Sequence, residues 1–262
     1  MEVFEKELYT QIEEELSLRL EQLQKINPSE AESIFIKYEF KKDELDFLFI
    51  HSIPAIYALW EGYVKKILGY YLEYLNKLKI PIQKVQQNIL IFCAEYSSLK
   101  IQNYPKKNKD KLNYFEKFKI FVGNEIVNLP TIIDTKDNLG FSVINNLLST
   151  FGLKEFEEYE IINEISEDIR ERFFETLPQE SKKYPLLKEL GGKIEEKDGE
   201  EKTKNIKTSL LDMRNDISHQ GIYGVEINKF YLKRFVFLVT FLMESVFEKI
   251  KIGVENKTYL KK

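Results

Sequence analysis

The stretch that most constrains this chain is residues 225–251. Around Phe235-Val236-Phe237-Leu238-Val239, a helix over this run is apolar on most of its sides. Such a helix is stable only when buried on more than one side, so other helices must enclose it, in a bundle core or at a seam between two copies. It is no membrane span. Its longest apolar run, Phe235 to Met243, is interrupted by Thr240, flanked by Lys233, Arg234 and Glu244, and far short of the ~20 residues that crossing a bilayer needs.

The rest of the chain supplies helices to do the enclosing. Leu8, Ile12, Leu16, Leu20 and Leu23 recur at helical spacing over 3–26, and Asn27-Pro28 ends that run. Ser33 to Phe40 is short and β-prone. Asp43 can cap a helix through Ile50, and a break is expected at Ser52-Ile53-Pro54. Ala55 to Leu78 is the strongest helix of the N-terminal half, turning Ile56, Trp60, Tyr63, Ile67, Tyr70, Tyr71, Tyr74 and Leu78 towards a core. Pro81 marks the start of another, Ile82–Ala94, and Ser142–Phe151 reads as a short helix stopped at Gly152. Glu155 to Glu175 sets nine acids against Arg170 and Arg172 and keeps Phe156, Tyr159, Ile162, Ile165, Ile169, Phe173 and Leu177 in helical register, as a surface helix would. Gly191-Gly192-Lys193 and Glu195 to Lys202 then read as a flexible linker in which no core could form. With 43% hydrophobic residues and only 11 Gly and 7 Pro, the fold expected is all-α. It is one helical-bundle domain over 1–262, with an N-terminal helical extension at about 1–42 and an acidic, flexible insert at about 155–205.

One of the chain's two histidines lies in Leu210-Leu211-Asp212-Met213-Arg214-Asn215-Asp216-Ile217-Ser218-His219-Gln220-Gly221. Leu210, Leu211, Met213 and Ile217 suit one face of a helix over about 203–219, and Gly221 and Gly224 are stop signals. His219 then sits in the last turn, at the negative end of the helix dipole. At roughly 100° per residue Asn215 shares its face, whereas Arg214 lies about 140° away and reaches the same cleft only through its long side chain. An imidazole, a guanidinium and an amide at one helix end suit an anionic ester.

The pattern Arg214-Asn215-Asp216-Ile217-Ser218-His219, R-N-x-x-x-H, resembles the signature of the HEPN superfamily, many of whose members are metal-independent RNases. Other stretches carry the same resemblance. Ser52 to Lys65, with Tyr57-Ala58-Leu59-Trp60-Glu61-Gly62-Tyr63-Val64-Lys65, looks like the "YAxWEGYVK" helix of a defence-associated prokaryotic branch. Asp134-Thr135-Lys136-Asp137-Asn138-Leu139 is similar to its "DTKxNL" connector, and Phe151-Gly152-Leu153 falls where its "LGL" step would. Ser218 and Gln220 depart from the more usual "IAHG", and the acidic insert is a further departure. The resemblance implies an HEPN-like bundle, a site of Arg214, His219 and Asn215, and no cofactor or metal. It also implies RNA as substrate, a homodimer, and a toxin–antitoxin or antiviral defence setting with an antitoxin or other partner protein.

The chemistry is consistent with those residue types. RNA supplies its own 2′-OH nucleophile, so cleavage needs a base for that proton, charge stabilisation at phosphorus and a proton for the leaving 5′ oxygen. His219 can transfer protons, Arg214 can grip non-bridging oxygens, and Asn215 can orient the phosphate or His219. The plain structural alternative makes His219 a helix C-cap and pairs Arg214 with Asp212 or a glutamate. The functional alternative is a non-catalytic helical module that binds RNA or a partner protein.

Residues 100–119 hold seven Lys against Asp110 and Glu116, interleaved with Tyr104, Tyr114, Phe115 and Phe118. They read first as a solvated loop leading into an amphipathic helix. They can also form a single-stranded RNA platform, with Lys106, Lys107, Lys109 and Lys111 as substrate contacts. A net charge of −4 counts against bulk coating of nucleic acid, not against one local patch. Cys93 is alone, which fits a reducing cytoplasm, and Met1-Glu2-Val3-Phe4-Glu5-Lys6-Glu7 is too charged for a secretory leader. No phosphate-binding glycine loop and no zinc or calcium ligand spacing is present, and His51 reads as a packing or capping residue.

Overall fold

The computed structural model describes residues 2–26, 42–93, 126, 128–133, 138–161, 183–191, 209–220 and 229–261. The helices are α1 (Glu2–Ile26), α2 (Lys42–Lys77), α3 (Phe141–Thr150), α4 (Leu186–Leu190), α5 (Leu210–Gln220) and α6 (Lys229–Glu255), with a further helical stretch at 87–93. The strands of the described residues are one two-residue antiparallel pair, β1 (Glu160–Ile161) and β2 (Lys183–Tyr184). The all-α bundle expected from the sequence is the one that forms. Among the described residues no helix is long and apolar enough to cross a membrane.

Three helices are laid against α2. Its 36 residues span about 54 Å at the usual ~1.5 Å rise, and α1, α5 and α6 all pack on it, while α1 also meets α6. Ile53, Ile56, Tyr57, Trp60, Tyr63, Val64, Ile67, Tyr71 and Tyr74 are buried along one broad stripe, the face that its 3.6-residue period dictates. The buried tyrosines spend their hydroxyls on other elements, as buried polar tips must. Tyr63 donates to the Met243 carbonyl of α6 at 3.2 Å and Tyr71 to the Phe151 carbonyl beyond α3 at 3.4 Å. The polar seam to α1 is Glu15, 3% exposed, which accepts from Arg19 at 2.7 Å and from Lys66 of α2 at 2.5 Å. Burial raises the Glu15 pKa, but the two cations outweigh it and hold the carboxyl below its usual range.

The apolar character of α6 is satisfied within one chain. Leu232, Phe235, Leu238, Val239, Leu242, Met243, Val246 and Ile250 are buried against α1, α2 and α4, with Val236, Phe237 and Phe241 half-buried beside them. No seam with a second copy is needed to explain it.

Several local expectations are corrected. No break occurs at Ser52-Ile53-Pro54, because α2 runs straight through Pro54. One missing N–H costs less than giving up the buried stripe that starts at Ile53 and the half-buried Phe49 and Ile50 before it, and Ser52 Oγ bonds back to the Leu48 carbonyl at 2.8 Å. The helix expected from Ile82 starts later: Ile82–Lys84 is a 3₁₀ turn, Val85 bridges to Leu260, and regular helix begins at 87. Residues 155–161 are not helical. Asn145 clamps Phe156 from both sides, accepting from its N–H at 2.8 Å and donating to its carbonyl at 2.9 Å, which draws the chain into an extended path. The linker does not begin at Gly191, since Leu186, Leu187, Leu190 and Gly191 are buried and α4 packs on α3, α5 and α6. Ser33–Phe40, 100–119, 162–182 and 192–208 lie outside the described residues.

Candidate functional site

The site is built where α5 crosses α2. Ser209 starts α5 as its N-cap, accepting from the Asp212 N–H at 3.2 Å while its hydroxyl donates to Asp212 Oδ2 at 2.7 Å. Leu210, Leu211, Met213 and Ile217 are buried, as their spacing predicts, and this turns Arg214, Asn215 and Asp216 to a half-buried flank. The helix ends at Gln220, one residue before Gly221, and His219 is exposed in the last turn.

Asn138 and Leu139 come in from the connector. Leu139 is fully buried and its peptide groups are held by α2: its N–H donates to Tyr57 Oη at 2.5 Å and its carbonyl accepts from Trp60 Nε1 at 3.2 Å. That fixes the neighbouring Asn138 beside Arg214. Arg214 Nη1 donates to Asn138 Oδ1 at 2.9 Å and to Asn215 Oδ1 at 2.8 Å, and Asn138 Nδ2 closes the ring by donating to Asn215 Oδ1 at 3.2 Å. The guanidinium lies over the buried Tyr57 ring, 4.9 Å from its centroid. Burial pushes the Tyr57 phenol up to about 12, so at neutral pH it is a protonated platform and not a base.

The arginine is therefore held by neutral groups. Asp212, the pairing partner of the plain structural alternative, is occupied by Ser209, and among the described residues no carboxylate is in ion-pair range of Arg214. A guanidinium carries five N–H donors. The bonds to Asn138 and Asn215 use Nη1, and within the described residues Nε and Nη2 have no acceptor. Those two nitrogens form the side-on fork that grips a carboxylate or a phosphate with paired bonds.

A family model described as RiboL-PSP-HEPN matches residues 7–251. The chain belongs to this HEPN family. Comparison with curated proteins and with solved structures finds no match. The matched span takes in α1, expected as an extension, and all of the expected insert, and its fold is an HEPN-type helical bundle. HEPN membership points to a nuclease or RNA-related function.

Of the residues expected at an HEPN site, Arg214 and Asn215 are brought into direct contact, and His219 stands about one turn further along the same helix. Lys106, Lys107, Lys109 and Lys111 lie outside the described residues. Asn138 and Tyr57 stand in the stretches that carry the family resemblance, and no spacing rule shows that they converge on Arg214. His51 is exposed and rests on Phe47, ring centroids 4.2 Å apart.

Proposed function

We propose that this HEPN protein is a metal-independent endoribonuclease. The observation that carries the reading is the Arg214 guanidinium, fixed by amides and an aromatic ring with its Nε/Nη2 fork uncommitted among the described residues, on the helix that presents an exposed His219. A fixed cation with no carboxylate paired to it among the described residues is worth most to a phosphate whose charge builds in the transition state. At ~4 Å and an intermediate dielectric the attraction is about 4 kcal/mol, most of which a neighbouring carboxylate would cancel.

In this mechanism Arg214 grips the non-bridging oxygens and Asn215 sets the phosphate against the 2′-OH. His219 takes the 2′ proton as the 2′ oxygen attacks phosphorus, and the 5′ oxygen leaves with a proton, giving 2′,3′-cyclic phosphate and 5′-OH ends. One His219 cannot fill both proton-transfer roles at once, and a second copy related by a two-fold axis supplies the other. Lys106, Lys107, Lys109 and Lys111 are the proposed substrate contacts. The setting is cytoplasmic, in a bacterial defence or toxin–antitoxin system, with an antitoxin or other partner restraining the enzyme.

The test is cleavage of total tRNA, rRNA and messenger RNA in EDTA by the wild type, His219→Ala and Arg214→Ala, with analysis of the ends. Cyclic phosphate ends from the wild type, and their loss in both variants, are expected. Equal activity in all three proteins removes the site. An inactive wild type that still binds RNA favours the non-catalytic module.

A further inference from the structure

Asn138 is the residue of this site that the proposed chemistry does not use, yet it has the most constrained position. Its backbone neighbour Leu139 is bonded to both Tyr57 and Trp60 of α2, and its own side chain reaches 76 residues along the chain to Arg214. Its amide plays two parts: Oδ1 accepts from Arg214 Nη1, and Nδ2 donates to the oxygen of Asn215 that Nη1 also uses. An aspartate would have the same size and a stronger acceptor, but it would act as a counter-ion and would present no N–H to Asn215.

We propose that Asn138 is a positioning residue that forms, with Asn215 and the Tyr57 ring, a deliberately neutral cradle for Arg214. The cradle occupies the Nη1 side of the guanidinium and aims the Nε/Nη2 fork outward with its full positive charge, for one backbone phosphate of a bound RNA. A carboxylate at 138 would hold the arginine equally well in space and would spend its charge. This inference rests on the phosphate-binding role given to Arg214 above.

The experiment measures affinity for a mixed-sequence 2′-O-methyl RNA 20-mer, which cannot be cleaved, against salt concentration. It compares wild type, Arg214→Ala, Asn138→Ala and Asn138→Asp, with a thermal melt of each. Arg214→Ala is expected to weaken binding about tenfold to a hundredfold, the range for a lost charge-assisted contact, and to lower the salt slope by about one phosphate contact. Asn138→Ala is expected to weaken binding less and to keep the wild-type slope, because the charge persists but is less well aimed. Asn138→Asp is expected to bind worse than Asn138→Ala and to lose about as much slope as Arg214→Ala. A purely structural Asn138 predicts the reverse order, since Asp keeps the shape and the Nη1 acceptor, so Asp binding at or above Ala overturns the cradle. Asparagine variants equal to wild type beside a weakened Arg214→Ala overturn the cradle and leave the phosphate role standing. Wild-type binding by Arg214→Ala, or none by the wild type, overturns that role and the inference with it. Should Asn138→Ala melt early, Asn138→Ser takes its place as the neutral variant.

Discussion

Two arginines of this chain show how the same side chain is set to different tasks. Arg234 on α6 is buried, with Nε and Nη2 both bonded to the Glu189 carboxylate of α4, the latter at 2.7 Å. Arg214 on α5 is half-buried and presents Nη1 to two amides. Each lies near an aromatic ring, Phe235 at 5.5 Å and Tyr57 at 4.9 Å. What differs is the fork. Arg234 spends its paired donors on a carboxylate inside the protein, where an uncompensated charge would be costly. Arg214 keeps the same pair unspent among the described residues. Arg234 is neutralised inside the fold, and Arg214, on the reading proposed above, is aimed at an anion.

The largest effect that would sharpen this contrast is on stability. Glu189→Ala takes from the buried Arg234 the carboxylate that holds its paired donors, so a loss of about 3–5 kcal/mol is expected in urea unfolding. A loss well under that range would mean that groups other than Glu189 carry much of the hold on Arg234. Next in size is Arg214→Ala, expected to lower RNA cleavage by about 10²–10³, the scale for removing one preorganised donor of transition-state charge. Its cost to folding should be about 1–3 kcal/mol, for a half-buried cation–π contact and the amide oxygens of Asn138 and Asn215 left without their donor, and so below that of Glu189→Ala. Arg214→Lys should not restore cleavage, because an ammonium cannot occupy Nη1-type contacts and still present a fork. If Arg214→Ala unfolded the protein as readily as Glu189→Ala, the two arginines would be alike and the contrast would fail.

The sequence made the long-range frame legible because that frame rests on period. The α2 stripe from Ile56 to Tyr74 and the buried side of α5 follow from 3.6-residue spacing alone. Local punctuation was less trustworthy. Pro54 reads as a stop, yet the packing on both sides of it carries the helix through. Leu186, Leu187 and Leu190 fall inside the stretch of about 155–205 that reads as an acidic, flexible insert, though they are core. At the site, Arg214 and Asn215 could be named because they are adjacent in one helix. Asn138 could not be given its role, because its partner is 76 residues away and only the fold brings them together. Glu15 was invisible for the same reason, its second cation coming from Lys66.

Glu15 offers a third arrangement, a buried anion held by two cations, and a smaller, pH-dependent test. Its folded pKa is depressed, so its contribution is complete above the unfolded carboxyl value of about 4.3 and is lost as pH falls through the lower folded value. Urea midpoints measured downwards from pH 5 should decline over that window, and Glu15→Gln should flatten the decline. An unchanged profile in Glu15→Gln would assign acid sensitivity to other carboxylates.

The smallest effect expected concerns the joint between the two arginines. Glu189 is two residues from Gly191, which takes φ +84 and lies so close to Ser209 that a Cβ there would strike its side chain. Gly191 also accepts from the Phe141 N–H at 2.8 Å, so α3, α4 and the start of α5 meet at this point. The structural ion pair thus anchors the end of the helix that carries Arg214. Ser209→Ala removes the cap without adding bulk, and leaves the Asp212 N–H and carboxylate without their partner. A cost of about 1 kcal/mol is expected from the lost N-cap. Cleavage per folded molecule should stay at the wild-type level, because Arg214 and Asn215 are fixed by Asn138 and Tyr57 and not by the first turn of α5. A drop in cleavage out of proportion to the change in stability would show that the aim of Arg214 is set from the capped end as well, and that the two arginines are coupled through Gly191 and Ser209.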